Sequence, residues 1–137
     1  MSRLHAVMWT ALLALAACEG AIDPAAPPFR TLAYEEALAE ASRDGKLVFL
    51  DFYATWCPPC RRLDASTWKD PGVTEWLEAN TVPIKVDAER SVRLAEQFHV
   101  EAYPTLVFVD PTQGEVLRSL GFLDPNGFAA LIGRLGR

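Results

Sequence analysis

Residues 47–60 read Leu47-Val48-Phe49-Leu50-Asp51-Phe52-Tyr53-Ala54-Thr55-Trp56-Cys57-Pro58-Pro59-Cys60. The first eight are apolar on both alternating faces apart from Asp51, the pattern of a central strand covered on both sides. Two cysteines, two residues apart, follow at its C-terminal end. Pro58 suits the first position of a helix, where a missing N–H costs nothing, so the spacing predicts a helix over 58–68 with Cys57 at its cap. A helix N-terminus carries partial positive charge and free N–H groups, which favour thiolate over thiol and make a cysteine reactive near neutral pH. Cys57 is therefore the expected nucleophile. Cys60, one turn on and on the inner side of the helix, can attack a mixed disulfide held on Cys57 and release the reduced partner.

Other uses of a C-x-x-C pair fit these residues less well. A zinc site would need a second pair, and the only other cysteine is Cys18. Haem attachment needs histidine next, and residue 61 is arginine. A purely structural disulfide closing so short a loop would restrain the unfolded chain little. A Cu(I)-binding metallochaperone could use Cys57 and Cys60 as soft ligands, but no methionine or histidine ligand lies nearby. Redox use is favoured, and it requires no bound cofactor.

With 137 residues, half of them hydrophobic, the chain can build one domain with a real core and not two. A net charge of -5 and a pI near 5.0 argue against nucleic acid or an anionic membrane surface as partner. No internal repeat, Gly-rich phosphate loop or metal-ligand cluster is present. His99 is expected on the surface or at a helix end.

Residues 1–17 have the form of an export signal: Arg3 supplies the positive start, and residues 6–17 are apolar but too short to span a bilayer. Leu15-Ala16-Ala17-Cys18 resembles the bacterial lipoprotein signal, which implies cleavage before Cys18, diacylation of its sulfur and a lipid anchor in the cell envelope. Two or three chains on one cysteine hold a protein on a membrane far better than one. Glu19 in the next position fits, by the same resemblance, outer-membrane sorting. Residues 18–29, rich in alanine and proline (Pro24, Pro27, Pro28), read as a semi-extended tether. The domain is expected over 30–137.

Residues 29–32 are a candidate short edge strand. Tyr34, Ala37, Leu38 and Ala41 recur at helical spacing until Asp44-Gly45 stops the helix. After the motif helix, Asp70-Pro71 caps a second helical piece carrying Val73, Trp76 and Leu77. Residues 82–86 form the next strand, parallel to the first because strand-helix-strand crossovers are right-handed. Ser91 is the expected cap of a helix carrying Leu94, Ala95 and Phe98. Strands over 105–109 and 115–120 make a hairpin, and Asp124-Pro125 opens a last helix with Phe128, Leu131, Ile132 and Leu135 on one face.

This order of elements, with Trp56-Cys57-Pro58-Pro59-Cys60 and Tyr103-Pro104-Thr105, resembles the thioredoxin superfamily over residues 30–136. The resemblance implies an α/β fold whose central mixed sheet of four to five strands carries helices on both faces. Within it, Cys60-Arg61-Arg62-Leu63-Asp64, running on to Thr67-Trp68-Lys69-Asp70-Pro71-Gly72-Val73, is similar to the C-terminal domain of the periplasmic thiol-disulfide interchange protein DsbD, whose motif helix breaks at the same kind of Asp-Pro. The departure is Pro58-Pro59, where thioredoxin carries Gly-Pro. Two prolines remove two N–H donors that could stabilise the Cys57 thiolate, and no histidine adds charge between the cysteines. Strong oxidants of this fold reach about -120 mV, against about -270 mV for thioredoxin, by stabilising the reduced form. A reductant is therefore expected, with a disulfide oxidase or isomerase as the alternative.

The resemblance also implies roles for single residues. Pro104 would be cis, exposing the backbone at Tyr103 to pair with an extended substrate. Asp51 matches the buried acid that deprotonates Cys60, and Lys85 on the neighbouring strand its ionic partner. From the residues themselves, a carboxylate buried without a partner in an apolar strand is pushed toward its protonated form, which suits a proton acceptor. Trp56 is expected to cover the dithiol and shape the docking surface, and Trp68 and Trp76 to pack. The implied activity is extracytoplasmic reduction of protein disulfides, fed by a membrane electron donor of the DsbD type.

Overall fold

The computed structural model describes residues 20–136. Helix α1 (Tyr34–Asp44) leads into strand β1 (Leu47–Tyr53), followed by α2 (Pro58–Ala65), α3 (Pro71–Asn80), β2 (Thr81–Asp87), α4 (Val92–Gln97), β3 (Thr105–Asp110), β4 (Gly114–Leu120) and α5 (Pro125–Gly133). The sheet order is β2-β1-β3-β4, with β1 parallel to β2 and antiparallel to β3, and β3 antiparallel to β4. Four strands are present, at the lower end of the expected four to five.

All seven residues of β1 are buried, as a continuous apolar run requires. Their alternation sorts them between two cores. Val48, Leu50 and Phe52 meet Ala37 and Ala41 of α1 and Ala95 of α4, while Leu47 and Phe49 meet Leu63, Trp68, Leu77 and Phe128 on the other face. By the period of two, Asp51 shares the second face and looks toward the α2 side.

The caps show why the elements stop where they do. Gly45 closes α1 in the left-handed region (φ 66°), a conformation that a Cβ would oppose. Asp70 Oδ1 accepts the Val73 N–H at 3.0 Å and Asp124 Oδ1 accepts the Gly127 N–H at 2.7 Å, each with proline behind it. Ser91 occupies the cap position of α4, but its side chain makes no cap bond. Asp87 organises that turn instead, its Oδ1 accepting from the N–H groups of Glu89 and Arg90. His99 is exposed in the left-handed region just beyond α4, a helix-end position.

Two boundaries differ from expectation. Helix α2 ends at Ala65 rather than 68, where the Ser66 hydroxyl donates to the Arg62 carbonyl at 2.6 Å and a 3-10 turn (Thr67–Lys69) swings Trp68 into the core. The crossover is thus the broken helix that the sequence indicates. Residues 29–32 form no strand. The Arg30 N–H donates to the Pro83 carbonyl at 2.8 Å, but Pro83 has no N–H to return on that edge, so no ladder propagates. Phe29, placed at the end of the tether by sequence, is instead 6% exposed and packs on Phe49 and Trp68. The export signal and Cys18 lie outside the described residues. Among the described residues, no helix is long and apolar enough to cross a membrane.

Candidate active site

Cys57 stands where β1 hands over to α2, in extended backbone at the N-cap. Its Sγ accepts the Cys60 N–H at 3.3 Å, and the two cysteines are joined in a disulfide with Cα atoms 5.3 Å apart. Pro58 and Pro59 offer no N–H, so the first amide of the helix that can donate is that of Cys60, and it points at the sulfur. Arg61 donates from its guanidinium to the Thr55 carbonyl at 3.0 Å and fastens the loop to the helix.

Cys57 and Cys60 are 2% and 1% exposed, packed with Tyr53 and Ala54 and flanked by Ile22 and Tyr103. Trp56 is 59% exposed. Its indole N–H donates to Glu89, and its ring meets Tyr103 edge-on with centroids 6.0 Å apart. The side chains packed against the dithiol are thus those of Tyr103 and Ile22, while the Trp56 ring, expected to cover it, leans on Tyr103 and stays exposed. The Tyr103-Pro104 bond is cis, as expected. Thr105 pairs with Phe52, which sets Pro104 at the same end of the sheet as the dithiol.

On the same side of β1, Asp51 faces Lys85 in direct register on β2. Lys85 Nζ lies 2.7 Å from Asp51 Oδ2 and 2.7 Å from Asp64 Oδ1. The Trp68 indole N–H donates to the same Asp51 Oδ2 at 3.0 Å. Lys85 is thus the ionic partner that the resemblance implies, and Trp68 adds a second donor that it does not: both converge on one oxygen of Asp51, while Oδ1 has no hydrogen-bond partner among the described residues. Burial pulls the Lys85 ammonium toward neutrality, but Asp51 and Asp64 outweigh it and hold its pKa above the ordinary value. Burial pushes the Asp64 carboxyl up, against the pull of Lys85. The ring centroids of Phe29 and Tyr53 lie 4.8 Å and 5.1 Å from Lys85 Nζ, within cation–π range of the ammonium.

Asp64, Trp68 and Phe29 are the site residues that the sequence reading missed. Asp64 had a signal, since it lies four residues after Cys60 and so on the same inner helix face. Trp68 was read as packing alone, and its N–H bond depends on where the 3-10 turn places it. No local pattern marks Phe29.

The chemistry available here is disulfide exchange: a capped sulfur, a second sulfur one turn away and a buried carboxylate with a free oxygen. Comparison with known proteins agrees. The family described as Thioredoxin-like domain matches residues 34–136. The thiol:disulfide interchange protein DsbD of Pseudoalteromonas atlantica is 33% identical over 103 residues, covering 71% of this chain and 17% of that protein. Thioredoxin H4 of Arabidopsis thaliana is 37% identical over 83 residues, covering 61% of this chain and 66% of the relative. Among solved structures, a thioredoxin from Thermus thermophilus superposes with a TM-score of 0.70 at 32% identity, over 79% of this chain and 87% of that one. The chain thus spans only about a sixth of its DsbD relatives, 17% of their length. On the family match and the CxxC pair at the start of α2, this chain belongs to the thioredoxin-like family of thiol-disulfide oxidoreductases.

Proposed function

We propose that the protein reduces protein disulfides outside the cytoplasm, tethered to a bacterial membrane through a lipidated Cys18. The observation that supports the reductive direction is that, among the described residues, one amide alone, that of Cys60, reaches Cys57 Sγ. Where several donors stabilise a thiolate the reduced form is favoured and the protein oxidises others; with one, the dithiol gives up its electrons more readily. The lipoprotein-like run ending at Cys18 and the likeness to DsbD support the location.

In the forward step the Cys57 thiolate attacks one sulfur of a client disulfide, and the client's other sulfur leaves as a thiolate and takes a proton. Cys60 then loses its proton to Asp51, attacks Cys57 and expels the second client thiolate. The client gains two electrons and two protons, and the protein ends as the Cys57–Cys60 disulfide. A membrane electron donor of the DsbD type restores the dithiol. Tyr103 and Pro104, with Trp56 beside them, offer the client an edge to lie along, and Lys85 steadies Asp51.

Equilibration with glutathione and insulin reduction with a chemical electron donor test this reading. A potential near that of thioredoxin, about -270 mV, with active insulin reduction is the expected result. A potential near about -120 mV would overturn it in favour of an oxidase or isomerase. Trapping assigns the roles: Cys60→Ser accumulates mixed disulfides on Cys57, and Cys57→Ser traps nothing.

A further inference from the structure

We propose that residues 20–28 form a strap that closes over the dithiol and must lift before either sulfur can be attacked. Thiol-disulfide exchange needs access to a sulfur, and in the structure both are almost wholly buried. The groups around them differ in how firmly they are held. Tyr53 ends β1 in register with Asp87 of β2, its carbonyl accepting the Ala88 N–H at 2.9 Å, and the carbonyl of Ala54 just after it accepts the Cys57 N–H at 3.1 Å. Tyr103 is braced by the Trp56 ring, and the Pro104 carbonyl next to it accepts the Gly121 N–H at 2.9 Å. Ile22 sits on a segment with no such ties.

Among the described residues, no hydrogen bond joins residues 20–28 to the rest of the domain. Those they make stay within the arm and its root: Ala25 N–H to Asp23 Oδ1, Ala26 N–H to the Asp23 carbonyl and Phe29 N–H to the Ala26 carbonyl. Between the arm and α2 lies a cleft of about 550 Å³ that opens to solvent, with Ala21, Ala26 and Pro27 on the strap side and Arg61, Ala65 and Trp68 on the helix side. Along this cleft the strap is not packed against the helix. It is anchored by buried Pro28 and Phe29 at its root and by half-buried Ile22 against the dithiol. Lifting it exposes the half-buried side chains of Ile22 and Ala26 and breaks no hydrogen bond to the sheet or to α2, while Pro28 and Phe29 stay in the core as the pivot. A closed strap slows attack on the disulfide whichever way electrons flow, by the fraction of time it is shut.

The test is the rate at which tris(2-carboxyethyl)phosphine reduces Cys57–Cys60 in the full chain, which needs no client and so stands apart from the direction proposed above. Ile22→Val, Ile22→Ala and Ile22→Ser should quicken it in that order, up to about tenfold for serine, because each removes more of the apolar contact that holds the strap shut. Leu131→Ala, on the buried face of α5, lowers global stability without touching the strap and should leave the rate unchanged. A wild-type rate in Ile22→Ser would overturn the proposal. So would an equal acceleration in Leu131→Ala, since access would then come from general loosening.

Discussion

Lys85 stands directly opposite Asp51 across β1 and β2, with Nζ 2.7 Å from the carboxylate and both side chains 1% exposed. A pair this dry is held by its own completeness, because either partner alone would be a buried charge without compensation. Lys85→Met should therefore cost about 3–5 kcal/mol in chemical denaturation. Adding Asp51→Leu should recover most of the loss, and a double variant as unstable as the single one would refute the coupling.

Asp51→Asn keeps the shape and both donors but removes the proton acceptor. Resolution of a mixed disulfide on Cys57 should slow by about 10- to 100-fold, at the modest end of general-base effects. Alkylation of Cys57 in the reduced protein should change far less, since its sulfur is capped by the Cys60 amide and not by Asp51. Stopped-flow mixing with a model disulfide separates the two steps, and equal slowing of both would remove Asp51 from the resolving step.

Asp64 has its pKa raised above the ordinary 3.8 by burial, so the folded protein holds that proton more tightly than the unfolded chain does. Its contribution to stability is complete below 3.8 and is lost as the pH rises through the raised value. The stability of Asp64→Asn relative to wild type should consequently climb with pH across the mildly acidic range. Lys85, also raised, contributes fully below 10.5 and fades as the pH rises through its folded value. Urea unfolding at a series of pH values reads both, and a flat difference curve for Asp64→Asn would contradict the first.

Trp68→Phe should retain most of the packing against Phe29, Phe49 and Phe128 while deleting the N–H that reaches Asp51. A loss of about 1–3 kcal/mol is expected from leaving a buried acceptor one bond short. Phe29→Ala should cost about 3–5 kcal/mol, the range for truncating a buried aromatic, and would place the start of the folded domain at or before that residue. Thermal unfolding of the two variants is the check.

The residues themselves determined what is local. An unbroken apolar run, a proline just inside a helix and an Asp-Pro pair act over a few neighbours, so β1, the Cys57 cap, the broken crossover and the final helix could be read directly. Likeness to the thioredoxin superfamily added the cis bond before Pro104 and the pairing of Asp51 with Lys85. Tertiary structure decided the rest. Asp64 meets Lys85 across 21 residues of chain, Trp68 meets Asp51 across 17, and Phe29 and Ile22, which by sequence read as tether, pack on the core and the dithiol. Such contacts arise only once strand register and helix position are set, and a buried charge or an open apolar flank then takes whichever side chain the fold brings within reach.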